Sequence, residues 1–194
     1  VAKIAFINKM DRIGASFGQV IAQINSKFSD CALPMQIPVG QENDFSAIID
    51  ILDGDLIRLS GEHGEQIERL PLDDNQQKLR QEAFEKLIEK VGNFSDEIAM
   101  HYLEGEIPSR ETLQKEIRRL TIERKLVPVF LGSAKRNIGI QMLADAVIDY
   151  LPSPLDVPPY KAFEVRNDGE VEVRLDSKEP FSGFIFKINA SSTA

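Results

Sequence analysis

Cysteine occurs once in the 194 residues, tryptophan not at all, tyrosine three times and histidine twice. A single thiol, Cys31, excludes an internal disulfide, and the sequence has no CxxC or Cys/His cluster for zinc. Cys31 therefore reads as an apolar filler in a reducing compartment, and the expected location is cytoplasmic. No run of 18 or more apolar residues appears, which excludes a membrane-spanning helix. Positive charge is in deficit: 23 Lys+Arg stand against 31 Asp+Glu, for a net charge of -8. Such a chain does not hold phosphate backbones by its overall field, although a local basic face stays open. A GxxxxGKS/T loop is also missing; Gly61-Glu62-His63-Gly64 lacks both the lysine and the Ser/Thr. Phosphoryl transfer needs a backbone cradle, a lysine on the outer phosphates, Mg2+ ligands and a positioned water. The chain by itself is thus expected not to hydrolyse a nucleoside triphosphate, and no catalytic residue or metal ligand is assigned. His63 and His101 read as structural.

What is present is 42% hydrophobic residues, enough for a sizeable core. The chain opens at Val1 inside the apolar run Ile4-Ala5-Phe6-Ile7 and stops at Asn189 to Ala194 just beyond a strand-like run, so both ends read as cut from a longer protein. Val1 to Ile7 predicts a short central parallel strand. Phe17, Val20, Ile21, Ile24 and Phe28 recur at helical spacing, and Met35 to Val39 suits a further strand. A second unit follows the same plan: an apolar strand over Leu126 to Leu131, the break Gly132-Ser133-Ala134-Lys135, and a helix. The face of that helix is read as Ile140, Leu143, Ala144, Val147, Ile148 and Leu151, with Pro152 and Pro154 ending it. Strand, polar loop and helix, twice over, predict a doubly wound α/β sheet. Ligands of such sheets sit at the carboxyl ends of the strands, where both polar loops would lie.

About 120 residues separate Asp11 from Gly132, whereas one strand-helix-strand step needs roughly 30. The excess predicts an inserted α+β subdomain. Its strands fall between Ala47 and Leu70, with Asp53-Gly54 as a hairpin turn. One helix face carries Leu79, Ala83, Leu87 and Val91. Ser95 is read as the cap of a helix with Ile98, Ala99 and Leu103, and Ser109 as the cap of one with Leu113, Ile117 and Leu120. Beyond Val157-Pro158-Pro159 the texture turns β-rich, with a turn at Asn167-Asp168-Gly169 and alternation at Phe184, Phe186 and Ile188. The expected division is residues 1–36 and 126–152 for the sheet domain, 37–125 for the insert, and 153–194 for a linker and the start of a β-barrel domain.

The strongest local pattern is Asn8-Lys9-Met10-Asp11, an NKxD loop following a strand. Guanine offers two adjacent N–H donors on one edge; one carboxylate, Asp11, accepts both, and adenine presents no such pair. Leaving a buried donor unmatched costs about 1–3 kcal/mol, which gives the pairing its discrimination. The Asn8 amide both donates and accepts, so it suits bracing the loops and reaching the ring. The Lys9 stem can lie over the flat base while its ammonium stays wet. In Gly132-Ser133-Ala134-Lys135, glycine allows close backbone approach. The Ala134 N–H can donate to a base carbonyl, and Ser133 can hold the Asp11 carboxylate. Each loop alone also reads as an ordinary polar turn; their order, each after a strand of one sheet, favours a shared site.

These residues carry a resemblance. IAFINKMDRIGA at Ile4 to Ala15, GSAKRNIGIQMLADAVIDYLPSP at Gly132 to Pro154 and EPFSGFIFKI at Glu179 to Ile188 resemble the elongation factor G family, as does IPVGQENDFSAIIDIL in the insert. Wording departs at Ser133-Ala134-Lys135-Arg136-Asn137, where that family shows SAFKN-type residues, and at Asn189 to Ala194. The resemblance implies a P-loop-GTPase-type domain, GTP/GDP as ligand, and Mg2+ and phosphate ligands in segments before Val1. It also implies GTP-driven ribosomal translocation, with the insert meeting the stalk protein of the large subunit and tRNA and mRNA met only through the ribosome. No membrane partner is expected, and the state expected is a monomer. A non-catalytic stalk-binding module, a class II release factor and a ribosome-protection protein are the alternative readings.

Overall fold

The computed structural model describes residues 1–61, 64–164 and 169–188. His63, Asn167, Asp168 and the tail from Asn189 lie outside the described residues. Residues 1–151 and 152–194 form two compact units.

The first unit is built on three parallel strands, β1 (Ala5–Ile7), β2 (Ala32–Pro34) and β7 (Val127–Leu131), in the order β1-β7-β2. The central position therefore belongs to β7 rather than to β1. The most buried strand is also the one with the fullest apolar run: Val129 and Leu131 are fully buried and Pro128 and Phe130 nearly so. Its side chains alternate between two cores, as a strand buried on both faces requires. Val129 and Leu131 join Ile7, Met10 and Ala32, against which Phe17, Val20, Ile21 and Ile24 of α1 (Phe17–Lys27) pack. Phe130 enters the larger core on the other face.

Between β2 and β7 the chain adds an antiparallel meander in the order β3-β4-β5-β6, with β3 at Gln36–Val39, β4 at Ala47–Asp50, β5 at Asp55–Ser60 and β6 at Gln66–Pro71. The strand expected over Met35 to Val39 is β3, and β2, which the expectation did not include, ends just before it at Pro34. Met35 alone separates them: its N–H donates to the Val129 carbonyl (3.0 Å), and its own carbonyl accepts from the Ile51 N–H (3.1 Å). The same extended run thus serves both sheets, which a period-2 apolar pattern does not reveal.

Three helices follow: α2 (Asp74–Gly92), α3 (Asp96–Glu104) and α4 (Arg110–Ile122). Ser95 and Ser109 cap α3 and α4 as their sequences predict, accepting from the Ile98 and Thr112 N–H groups. A capping box of Asp73 and Gln76 starts α2. Leu113, Ile117 and Leu120 are buried, and with Leu87, Ile88, Val91 and Ile98 they share one core with Leu33, Phe130, Ala146 and Tyr150. Two apolar positions fall elsewhere. Leu79 and Leu103 are 53% and 84% exposed, because the buried stripe of α2 runs through Phe84, Leu87, Ile88 and Val91 and α3 anchors through Ile98. On α5 (Ile140–Tyr150) the buried face is Met142, Ala146 and Tyr150, while Val147 and Ile148 are exposed. The helix is apolar on more than one side, and periodicity alone does not choose the side that meets β7.

In the second unit β8 (Tyr160–Glu164) pairs antiparallel with β9 (Gly169–Val173). Phe184, Phe186 and Ile188, read as a strand, are exposed and pair with no strand among the described residues. Alternation alone does not make a strand when no neighbour takes its backbone hydrogen bonds. No helix of the described residues is long and apolar enough to cross a membrane.

Truncating the shared core should separate buried from exposed positions. Ile117→Ala is expected to lower stability in urea unfolding by about 2–5 kcal/mol, and Leu103→Ala by less than about 0.5 kcal/mol.

Candidate functional site

The loops at residues 8–11 and 132–137 meet because β1 and β7 are parallel neighbours, with Ile7 opposite Leu131. Two backbone bonds continue the ladder past the strand ends. The Gly132 N–H donates to the Ile7 carbonyl and the Met10 N–H to the Gly132 carbonyl, both at 3.0 Å. Gly132 has no room for a side chain: a Cβ there would lie 2.1 Å from the Ile138 carbonyl oxygen and 2.9 Å from Phe6. The second loop closes on itself, since Ser133 and Ile138 exchange backbone hydrogen bonds of 2.9 and 3.0 Å. Asn137 and Gly139 turn through positive φ before α5 starts.

Asn8 ties the loops together. Its Oδ1 accepts from the Lys9 N–H at 2.7 Å and from the Ala134 N–H, 126 residues on, at 2.9 Å. The Ala134 N–H, read as a donor to a base carbonyl, is thus held by Asn8, and an incoming carbonyl must compete for it. Accepting through Oδ1 leaves the Asn8 amide N–H groups free to donate outward. Lys9 sits at φ 65°, a left-handed conformation that turns the chain sharply after Asn8. Lys9, Ala134 and Lys135 are exposed around the loops. Met10 differs from its neighbours: at 3% exposure its side chain is packed in the core, so it anchors the loop from below.

Asp11 is half-buried at the surface beside Ser133. Ser133 is 1% exposed and its buried hydroxyl has no hydrogen-bond partner among the described residues, yet it is the largest influence on the Asp11 carboxyl. Ser133, the backbone N–H of Asp11 and the cations Arg12 and Arg136 hold the carboxyl below its ordinary value, against a smaller opposing effect of burial. Asp11 is therefore a charged acceptor at neutral pH, and Ser133 is a buried hydroxyl next to it.

The meander supplies supports that sequence spacing does not announce. The Glu42 carboxylate accepts from the Gly14 N–H at 2.7 Å. Arg136 donates to the Phe45 carbonyl at 3.1 Å, and the Gln141 amide to the Gly64 carbonyl at 3.2 Å. Segments 40–46 and 64 thus hold Gly14 just past the first loop, Arg136 within the second, and Gln141 on α5 beyond it. The partners lie 28 to 91 residues apart, and no local motif marks them. Among the described residues no three acidic, histidine or cysteine side chains stand together to hold a metal ion.

The elongation factor Tu GTP binding domain family matches residues 1–153. Elongation factor G of Thermotoga maritima is 44% identical over 192 residues, covering 97% of this chain and 27% of that protein. Elongation factor G of Thermotoga neapolitana is 42% identical over 189 residues, with the same coverage. The chain spans 27% of the length of the curated relatives it matches. A crystal structure from Thermus thermophilus shares the fold, with a TM-score of 0.69 at 22% identity over 82% of this chain and 24% of that one.

Removing the Asn8 acceptor orphans two backbone donors at once. Asn8→Ala should speed amide hydrogen exchange at Lys9 and Ala134, each lost bond being worth about 1 kcal/mol, while β7 amides such as that of Val129 stay protected. Asn8→Asp keeps the acceptor and should preserve protection at both sites.

Proposed function

Because the chain belongs to the elongation factor Tu GTP binding domain family, we propose that its two joined loops read the guanine base of GTP or GDP. The observation that carries this reading is the bond from the Ala134 N–H to Asn8 Oδ1, which sets Asp11 and the Ser133-Ala134 turn on one rim. Asp11 accepts the ring N–H and the exocyclic amine together; its charge is complete at neutral pH. Asn8 donates to the other edge of the ring while bracing the loops. Lys9 and Lys135, exposed on the two loops, cover the faces of the base with their aliphatic stems. Met10 contributes by anchoring, Ser133 by orienting Asp11, and Ala134 by offering its N–H to the base carbonyl once Asn8 gives it up.

The longer protein, on this reading, is a translational GTPase that couples GTP hydrolysis to movement of tRNA and mRNA through the ribosome in the cytoplasm. Its likeness to elongation factor G supports this. The present chain contributes recognition and not phosphoryl transfer, since its sequence has no phosphate loop. Mg2+ would be bound with the phosphates by segments other than these loops. The insert is the surface offered to the ribosomal stalk protein; the exposed acids Glu82, Glu85 and Glu89 on α2 and Asp96, Glu97 and Glu104 on α3 support it.

A nuclear magnetic resonance titration tests the base assignment. Guanosine monophosphate at high concentration should shift the amides of Asp11 and Ala134, and adenosine monophosphate should not. Asp11→Asn replaces one acceptor by a donor and should weaken the guanine response by roughly a hundredfold or more, to disappearance. Binding should be flat from about pH 5 to 8. It should be lost only as pH falls through the lowered Asp11 value, beneath the ordinary carboxylate value of about 3.9. Equal response to both nucleotides would overturn the reading, as would measurable GTP turnover by the chain alone for the division of labour.

A further inference from the structure

The opposite edge of the parallel sheet carries a second cleft, of about 540 Å3, that guanine reading does not use. Parallel strands all start on this edge, so the residues preceding each of them converge. Lys3 leads into β1, Lys27 ends α1 ahead of β2, and Arg124 and Lys125 lead into β7; all four line the cleft. The Val127 N–H donates to the Cys31 carbonyl at 2.8 Å and stitches two of these approaches together.

This is a basic spot on a chain of net charge -8. The carboxylates beside it are occupied. Asp30 pairs with Lys90 at 2.9 Å, and Glu123 with Arg119 and Lys125 at 2.8 Å each. Lys3, Lys27 and Arg124 have no ion pair among the described residues. Phe28 stands among them with 61% of its surface exposed. Arg124 holds a left-handed backbone (φ 65°) just past the end of α4, where glycine is the unstrained choice.

Cations around an exposed aromatic ring form the arrangement that holds single-stranded nucleic acid: charge follows the backbone and the ring stacks on a base. We propose that this cleft docks a single-stranded RNA segment, with Lys3, Lys27 and Arg124 on its phosphates and Phe28 under one base. A small phosphate has no use for the ring, and the Asp and Glu side chains of an acidic peptide offer no aromatic face to stack on it, whereas every nucleotide brings a phosphate and a flat base together. The site lies across the sheet from the guanine loops and does not depend on them.

The test is fluorescence anisotropy of a labelled single-stranded RNA on the full chain, titrated between about 50 and 200 mM salt. The affinity should fall with salt with a slope near -0.7 per phosphate held. Lys27→Gln together with Arg124→Gly should reduce that slope by about 1.4, and the glycine should raise thermal stability by relieving the left-handed residue, which separates lost binding from lost folding. Phe28→Ala should weaken binding about tenfold with the slope unchanged. Saturating guanosine monophosphate should leave the RNA affinity as it was, so failure here leaves the guanine reading standing. Three results would each overturn the proposal: no binding at low salt, binding indifferent to the double substitution, or inorganic polyphosphate binding as tightly as RNA and insensitive to Phe28→Ala.

Discussion

The register of β1 against β7 is the constraint from which the rest follows. With Ile7 opposite Leu131, the bonds from Gly132 to Ile7 and from Met10 to Gly132 extend the ladder beyond both strands. Two turns some 120 residues apart then leave the sheet side by side. A slip of one residue would send Val129 and Leu131 to the face of Phe130 and exchange the two cores. The buried alternation of β7 therefore protects the site geometry as well as the fold.

Within the site, rigidity comes from backbone bonds and polarity from a few side chains. Asn8 spends its carbonyl oxygen on joining the two loops. Asp11 is held ionised by Ser133 and by nearby cations. The meander adds a lateral clamp through Glu42, Arg136 and Gln141. Arg136 both donates to the meander carbonyl at Phe45 and contributes to the field at Asp11, so it links the meander to the loop at residues 8–11. Helices α2, α3 and α4 share with β7 the core that contains Phe130.

The parallel sheet also sorts charge between its edges. Strand ends collect on one edge with an ionised acceptor, Asp11, and strand beginnings collect on the other with three cations that have no ion pair among the described residues. Net charge conceals this, since it sums over surfaces that face different ways.

Local sequence was enough for the alternating strand and helix plan, the serine caps of α3 and α4, the buried stripe of α4 and the residue types of both loops. These depend on neighbours within one turn or one strand, where spacing and propensity act directly. The resemblance carried by the longer segments at Ile4 to Ala15 and Gly132 to Pro154 identified the family. Other features were decided only by packing. Tertiary structure made β7 central, divided the run around Met35 between two sheets and buried Met142, Ala146 and Tyr150 in place of the more apolar side of α5. It left Phe184 to Ile188 without a strand partner, turned Met10 inward and joined Glu42, Arg136 and Gln141 to the loops. Each of those outcomes depends on which distant surface arrives opposite a residue, and that contact is absent from any window of sequence short enough to show a pattern.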